Sequence, residues 1–381
     1  MEQSFIKPFA NRTLLVFVIG FILTLPFPYH FLPHIGEILL PILESFKGNF
    51  IQNTDAVFQP DSWMMVSTTF VLFLLSISIA SILMLTRKGG ADRVHFWLYR
   101  ISAYYLSLTL LIYGCNKVFK YQFYFPEPNT LFTPLGQLNP DILYWSSMGT
   151  SYSYSVFAGL IEILPAFLLL FRKTRLLGAL IALGVLINVL MINIGFDIEV
   201  KIFTSFLILL SLILLQPHFK RFYSFFINNA PVSPFEESAE PKSKYYIKPR
   251  PYLKIILISI ILFESFGPYC IKGQFNGDTE AKIYMHGAYA VSDNPLKIER
   301  IFIHNKGYFI LQDKDDSFTD YEMSWNQDIL TLNDYEGQTC QLNLVRHKDG
   351  TFRLTGFLFK TYVVWDFERI HLESLAIFEG Q

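Results

Sequence analysis

The chain has 381 residues, 52% of them hydrophobic and 17% charged, with a mean hydropathy of +0.34 and a formal net charge of −1. A soluble protein carries about a quarter charged residues, and a nucleic-acid binder needs a basic footprint. The composition argues against both and makes the lipid bilayer the partner to expect.

Apolar runs longer than about 15 residues recur, rich in Phe and Tyr. Hydrocarbon offers a backbone no partner, so such runs are read as helices that satisfy themselves. Seven stand out, near 13–30, 63–86, 97–116, 153–171, 176–195, 201–217 and 253–268, the last being the shortest. The first runs into Pro26 and Pro28 without a small-x-small cleavage pattern, so it reads as a retained anchor.

Basic residues orient the spans. Lys7 and Arg12 precede the first; Arg87, Lys88 and Arg93 follow the second; Arg172, Lys173 and Arg175 follow the fourth. Lys220, Arg221, Lys242, Lys244, Lys248 and Arg250 lie between the sixth and seventh. The alternate connections hold only Lys47, Lys117, Lys120 and the membrane-edge Lys201. This alternation predicts a cytoplasmic N-terminus and a C-terminal domain outside the cytoplasm.

The organisation that follows is a two-span extension (1–96), four spans (97–222), a cytoplasmic linker (223–251), a seventh helix (252–269) and a β-rich extracytoplasmic domain (270–381). Residues 35–46 read as an interfacial stretch, and the proline-rich 224–251 as a flexible linker. After Cys270, alternating stretches such as "RIFIHN", "GYFILQD" and "TFRLTGFLF" read as strands, with "NKG" and "KDG" as hairpin turns. An antiparallel meander closed into a barrel or a sandwich is the expected fold.

Glu162 lies near the middle of span four. An ionised carboxylate there costs at least ~2.5 kcal/mol, so it must meet a partner or a polar cavity, or be protonated. Two readings stand: a ligand, proton or quinone site, and a structural hydrogen bond between helices. A second cluster holds Asn188, Asn193, Asp197, Glu199 and Lys201. Asp197 and Lys201 are four apart and read first as a charged turn at the membrane edge, and Asn188 as a deeper link between helices. Lys117, at the end of span three, either snorkels to the interface or reaches Glu162 or Asp197. Helix packing accounts for Arg100 and Glu264 as well as function does, and His30 and His34 are weak metal candidates without a carboxylate at ligand spacing. Tyr289, Trp325 and Trp365 read as β-domain core. No Ser/His/Asp order, phosphate-binding loop, dinucleotide fingerprint or HExxH occurs.

The pieces "YGCNKVFKY", "FAGLIEILPAFLLLFRKTRLLGALI" and "INVLMINIGFDIEVKIF" resemble the DoxX family of four-helix bacterial membrane proteins. The resemblance covers about 97–222 and rests on Gly114 with Lys117, on Glu162, and on the basic turn that follows it. Pro165 stands where the family has Gly, which bears on close helix contact at that point. The resemblance implies a four-helix bundle in the bacterial inner membrane, a quinone or redox link, and a membrane or periplasmic protein partner. Three function classes remain open: an accessory or redox-linked subunit of an envelope complex, a binder or transporter of a small or lipidic molecule, and a membrane enzyme with Glu162 as acid or base. Cys115, Cys270 and Cys340 show no metal or CxxC spacing. An exported C-terminal domain would allow a Cys270–Cys340 disulfide, against which stands a buried free thiol at Cys340.

Overall fold

A computed structural model describes residues 2–24, 29–32, 59–85, 90–232, 250–292 and 294–378. The interfacial stretch 35–46, Arg87, Lys88, His34 and most of the linker lie outside the described residues. The chain divides into two units, one of Met1–Gln122 and Ser153–Phe275, the other of Phe123–Tyr152 and Asn276–Gln381.

The first unit is helical: α1 (Glu2–Thr24), α2 (Trp63–Leu85) and α3 (Ala91–Val118) in its first part. Two short helices of the other unit, α4 (Pro128–Phe132) and α5 (Pro140–Thr150), come next in the chain. Then follow α6 (Tyr152–Leu170), α7 (Arg175–Gly195), α8 (Lys201–Leu215), α9 (Phe219–Phe226) and α10 (Arg250–Lys272). Six helical stretches among the described residues are long and apolar enough to cross a membrane: Ile6–Thr24, α2, α6, α7, Lys201–Phe226 and Pro251–Thr279. The chain is therefore read as a membrane protein.

α2 shows how such a helix tolerates polar residues. Ser67, Ser76, Ser78 and Ser81 each donate a hydroxyl to the carbonyl four residues back, so none needs an outside partner. Its Phe70, Val71, Phe73, Leu74 and Leu75 stay exposed, as lipid-facing side chains would.

α3 is not among the six apolar helices, because it carries Arg93, Arg100, Lys117 and several Tyr and Ser. It nevertheless lies at the centre of its unit. It packs against α1, α8 and α10 and buries Leu98, Ala103, Leu106, Leu110, Leu111 and Ile112. A helix surrounded by other helices need not be as apolar as one that meets lipid on most sides; Ser107, for instance, donates to the Ala166 carbonyl of α6 at 2.8 Å.

The second unit is a closed eight-stranded antiparallel barrel, which settles the choice between barrel and sandwich. Its strands are β1 (Gly287–Val291), β2 (Ile298–His304), β3 (Tyr308–Asp313), β4 (Phe318–Asn326), β5 (Ile329–Asn333), β6 (Thr339–Arg346), β7 (Phe352–Leu358) and β8 (Thr361–Arg369). Each pairs with the next, and β1 closes on β8 through Tyr289↔Arg369 and Val291↔Phe367. The expected turns fall between β2 and β3 and between β6 and β7, where Gly307 (φ +83°) and Gly350 (φ +91°) adopt the left-handed backbone. Alternation decides what points inward: on β6, Cys340, Leu342 and Leu344 are buried while their neighbours are exposed. Tyr289, Phe309, Leu330 and Trp365 join them and fill the interior, while Trp325 lies half-buried beside it, edge-on to Tyr284 at 5.4 Å. The barrel is thus a packed core.

Segment 123–152 belongs to this unit. Phe132 packs against Phe302 on the outer face of β2, with ring centroids 5.7 Å apart. Its carbonyl accepts from the fully buried Gln312.

Candidate functional site

The site begins with two glycines. A Cβ on Gly114 of α3 would lie 2.9 Å from the Gly159 carbonyl oxygen of α6, and one on Gly159 would lie 2.5 Å from the Gly114 carbonyl oxygen. Only residues without a side chain let two backbones approach this closely. One turn beyond each glycine stand Lys117 and Glu162. The Lys117 Nζ lies 2.7 Å from both Glu162 carboxylate oxygens, and the side chains are 9% and 5% exposed. Tyr113 adds its ring face, 5.6 Å from Nζ.

Of the alternatives open to Lys117, the structure therefore selects Glu162. The pair offsets the cost that the sequence places on a mid-span carboxylate, since each charge supplies the partner that the other requires in low dielectric. Beside it, Tyr269 of α10 donates to the Asn116 side-chain carbonyl at 2.6 Å, and Cys115 is fully buried. Pro165 does not prevent close contact: its carbonyl oxygen would lie 3.0 Å from a Cβ on Gly178, so α6 and α7 meet at that point.

The second cluster does not join the pair. Asn193 is buried and donates to Thr204 Oγ1 at 3.0 Å, pinning α7 to α8. Asp197 is exposed and pairs with Lys201 at 2.9 Å, the membrane-edge turn that was expected. Asn188 is a correction, because it sits on the exposed face of α7 rather than linking helices. Glu199 is exposed as well. The three cysteines are free: Cys115 and Cys340 are buried and Cys270 is exposed. Barrel alternation turns Cys340 inward opposite Leu332, which is the buried thiol weighed against a bridge.

Two carboxylates play roles that the sequence did not disclose. Asp61 accepts the backbone N–H groups of Val200, Lys201 and Ile202 at 2.7–2.9 Å, capping the start of α8 from far away in the chain. Glu264, fully buried on α10, accepts those of His30, Phe31 and Leu32. An acidic residue inside an apolar run signalled that Glu264 needs a partner, but a backbone partner leaves no signature in residue type. His30 contributes its backbone N–H to this contact; among the described residues no group of three or more His, Cys, Asp or Glu is placed to hold a metal ion.

In the barrel unit, Glu127 accepts from His286 Nε2 at 2.8 Å and from the Asn305 backbone at 3.2 Å. Burial opposes ionisation of Glu127, yet the His286 hydrogen bond and the nearby His304 hold its carboxyl below the usual carboxylate range. Burial pushes His304 below the usual imidazole value, although Glu127 opposes this.

Apolar helices of spanning length, an internal ion pair and a filled barrel define a membrane protein with one β domain. No family model and no solved structure matches the chain. It is 32% identical over 131 residues to the uncharacterized protein YwoB of Bacillus subtilis (strain 168), a stretch covering 32% of this chain and 77% of that protein. The chain belongs to the same family as that protein, and about two thirds of its length lies outside the match.

Proposed function

We propose that the chain is a DoxX-like, redox-linked accessory subunit of a bacterial envelope assembly. In this reading it is held in the inner membrane by seven spans, and α3, α6, α7 and α8 form the four-helix bundle. The Lys117–Glu162 pair carries the proposal: a charge pair maintained inside a span, at a crossing of two glycines, on the residues that the DoxX resemblance singles out. Such a pair offers the Lys117 ammonium as donor to a quinone carbonyl and the Glu162 carboxylate as acceptor for a quinol hydroxyl or a transferred proton. A general-base role for Glu162 is the weaker reading, because both of its oxygens already accept from one ammonium group.

The test is quinone titration into the full chain in lipid nanodiscs, followed by quenching of its aromatic fluorescence. Saturable quenching is expected in the wild type and loss of it in Glu162→Gln and Lys117→Gln, with helix content retained. A wild type that shows no saturable quenching overturns the redox link.

A further inference from the structure

A second site lies on the helical unit, away from the ion pair. α1, α3 and α10 enclose a groove of about 380 Å³. α3 contributes Trp97, Arg100, Ile101, Tyr104, Tyr105 and Leu108, spaced three and four apart, which is one continuous face of a helix. α10 contributes Leu253, Lys254, Leu257 and Ile261, again one face. At 1.5 Å per residue the stripe from Trp97 to Leu108 runs about 16 Å, roughly half of a ~30 Å hydrocarbon core and so the depth of one leaflet.

The charged groups of the groove are not spread along it. Both cations, Arg100 and Lys254, belong to its end nearest the starts of α3 and α10, and the rest is aliphatic or aromatic. Each cation rests near a ring, Arg100 at 4.3 Å from the Phe96 centroid and Lys254 at 5.4 Å from that of Phe171. Trp97 stands at the same end, where an indole suits a bilayer interface. With Trp97 40% and Leu253 52% exposed, the groove opens sideways, toward the position of lipid.

An apolar channel one leaflet deep with two cations at its interfacial end is complementary to one kind of molecule. We infer that this groove binds an anionic glycerophospholipid, its acyl chain along Ile101, Tyr105, Leu108 and Ile261 and its phosphate between Arg100 and Lys254. A zwitterionic lipid offers the same chain but no net charge, so the cations confer the selectivity. With the usual contribution of each basic residue near an anionic headgroup, two favour the anionic lipid by about 30-fold. This inference does not depend on the quinone reading of Lys117–Glu162.

Native mass spectrometry of the full chain, titrated separately with phosphatidylglycerol and phosphatidylcholine of equal chain length, tests it. Phosphatidylglycerol is expected to bind about 30-fold more tightly. Arg100→Gln combined with Lys254→Gln should bring the two lipids to equal affinity, whereas Leu257→Trp, which fills the channel and spares both charges, should weaken both together. Equal affinity for the two lipids in the wild type overturns the proposal, as does a preference that survives the double substitution. If Arg100→Gln fails to fold, Lys254→Gln alone decides: a preference reduced several-fold supports the site, and an unchanged preference overturns it.

Discussion

The Lys117–Glu162 pair illustrates how a single residue's cost predicts a contact. Removing one partner from a buried pair leaves an uncompensated charge and costs about 3–5 kcal/mol, whereas removing both is far milder. Glu162→Gln and Lys117→Met are each expected to destabilise the purified chain by about that amount. The double variant should lose clearly less than the sum of the two, as denaturant unfolding in detergent would measure; strict additivity would mean that the two charges do not interact. The need for a partner was legible in the sequence, because a mid-span carboxylate requires one. That Lys117 supplies it was not, since the choice between snorkelling and pairing depends on how α3 and α6 cross. A second residue-scale prediction concerns acid. Glu127 has a lowered folded value, so its contribution is full above the ordinary carboxylate range and is lost as pH falls through the folded value. His304 also has a lowered folded value, so its contribution is complete above about 6.5 and declines below it. Both signs agree, and the barrel's thermal midpoint, read from the β-sheet amide I band, should fall from pH 7 to pH 4. Glu127→Gln should flatten the lower part of that fall.

At the scale of elements, periodicity and length disclosed most of what formed. The starts of α6, α7 and α8 at Tyr152, Arg175 and Lys201 lie within a residue of the apolar limits read from sequence. Strand β6 follows the alternation of its residues, because a barrel wall must place every second side chain inside, whereas β2 and β3 bury consecutive side chains, their outer face being covered around Phe132. What alternation does not contain is closure. β1 finds β8 about eighty residues later, and Phe132 finds Phe302 from a connection between two apolar runs; both are matters of topology. The α3–α6 crossing depends on both of its glycines. Gly159→Leu, which would drive a side chain into the Gly114 carbonyl and Val118, is expected to separate the helices and expose the ion pair. Spin labels on α3 and α6 should report the added distance, while Gly184→Leu, on α7 with open space around it, should leave that distance unchanged. Asp61→Ala removes the remote cap of α8 and should cost about 0.5–2 kcal/mol.

For the whole molecule the decisive question is whether α3 crosses the membrane. Six apolar stretches alone would place Arg172, Lys173 and Arg175, after α6, on the side opposite the N-terminus, and Lys220 and Arg221, after α8, there too. Counting α3 as a span brings both basic clusters back to the side of Lys7 and Arg12, as the positive-inside tendency requires. The buried Ser107 and Lys117 of α3 are no objection, since both meet α6 rather than lipid, and Arg93 and Arg100 lie toward its start. The two arrangements differ at two points at once. If α3 crosses, a reporter after Tyr223 is cytoplasmic and one after Gln381 is outside; if it does not, both assignments reverse. The expected result is therefore alkaline phosphatase activity at Gln381 together with green fluorescence at Tyr223. The reverse pattern would remove α3 from the set of spans and place the barrel on the cytoplasmic side.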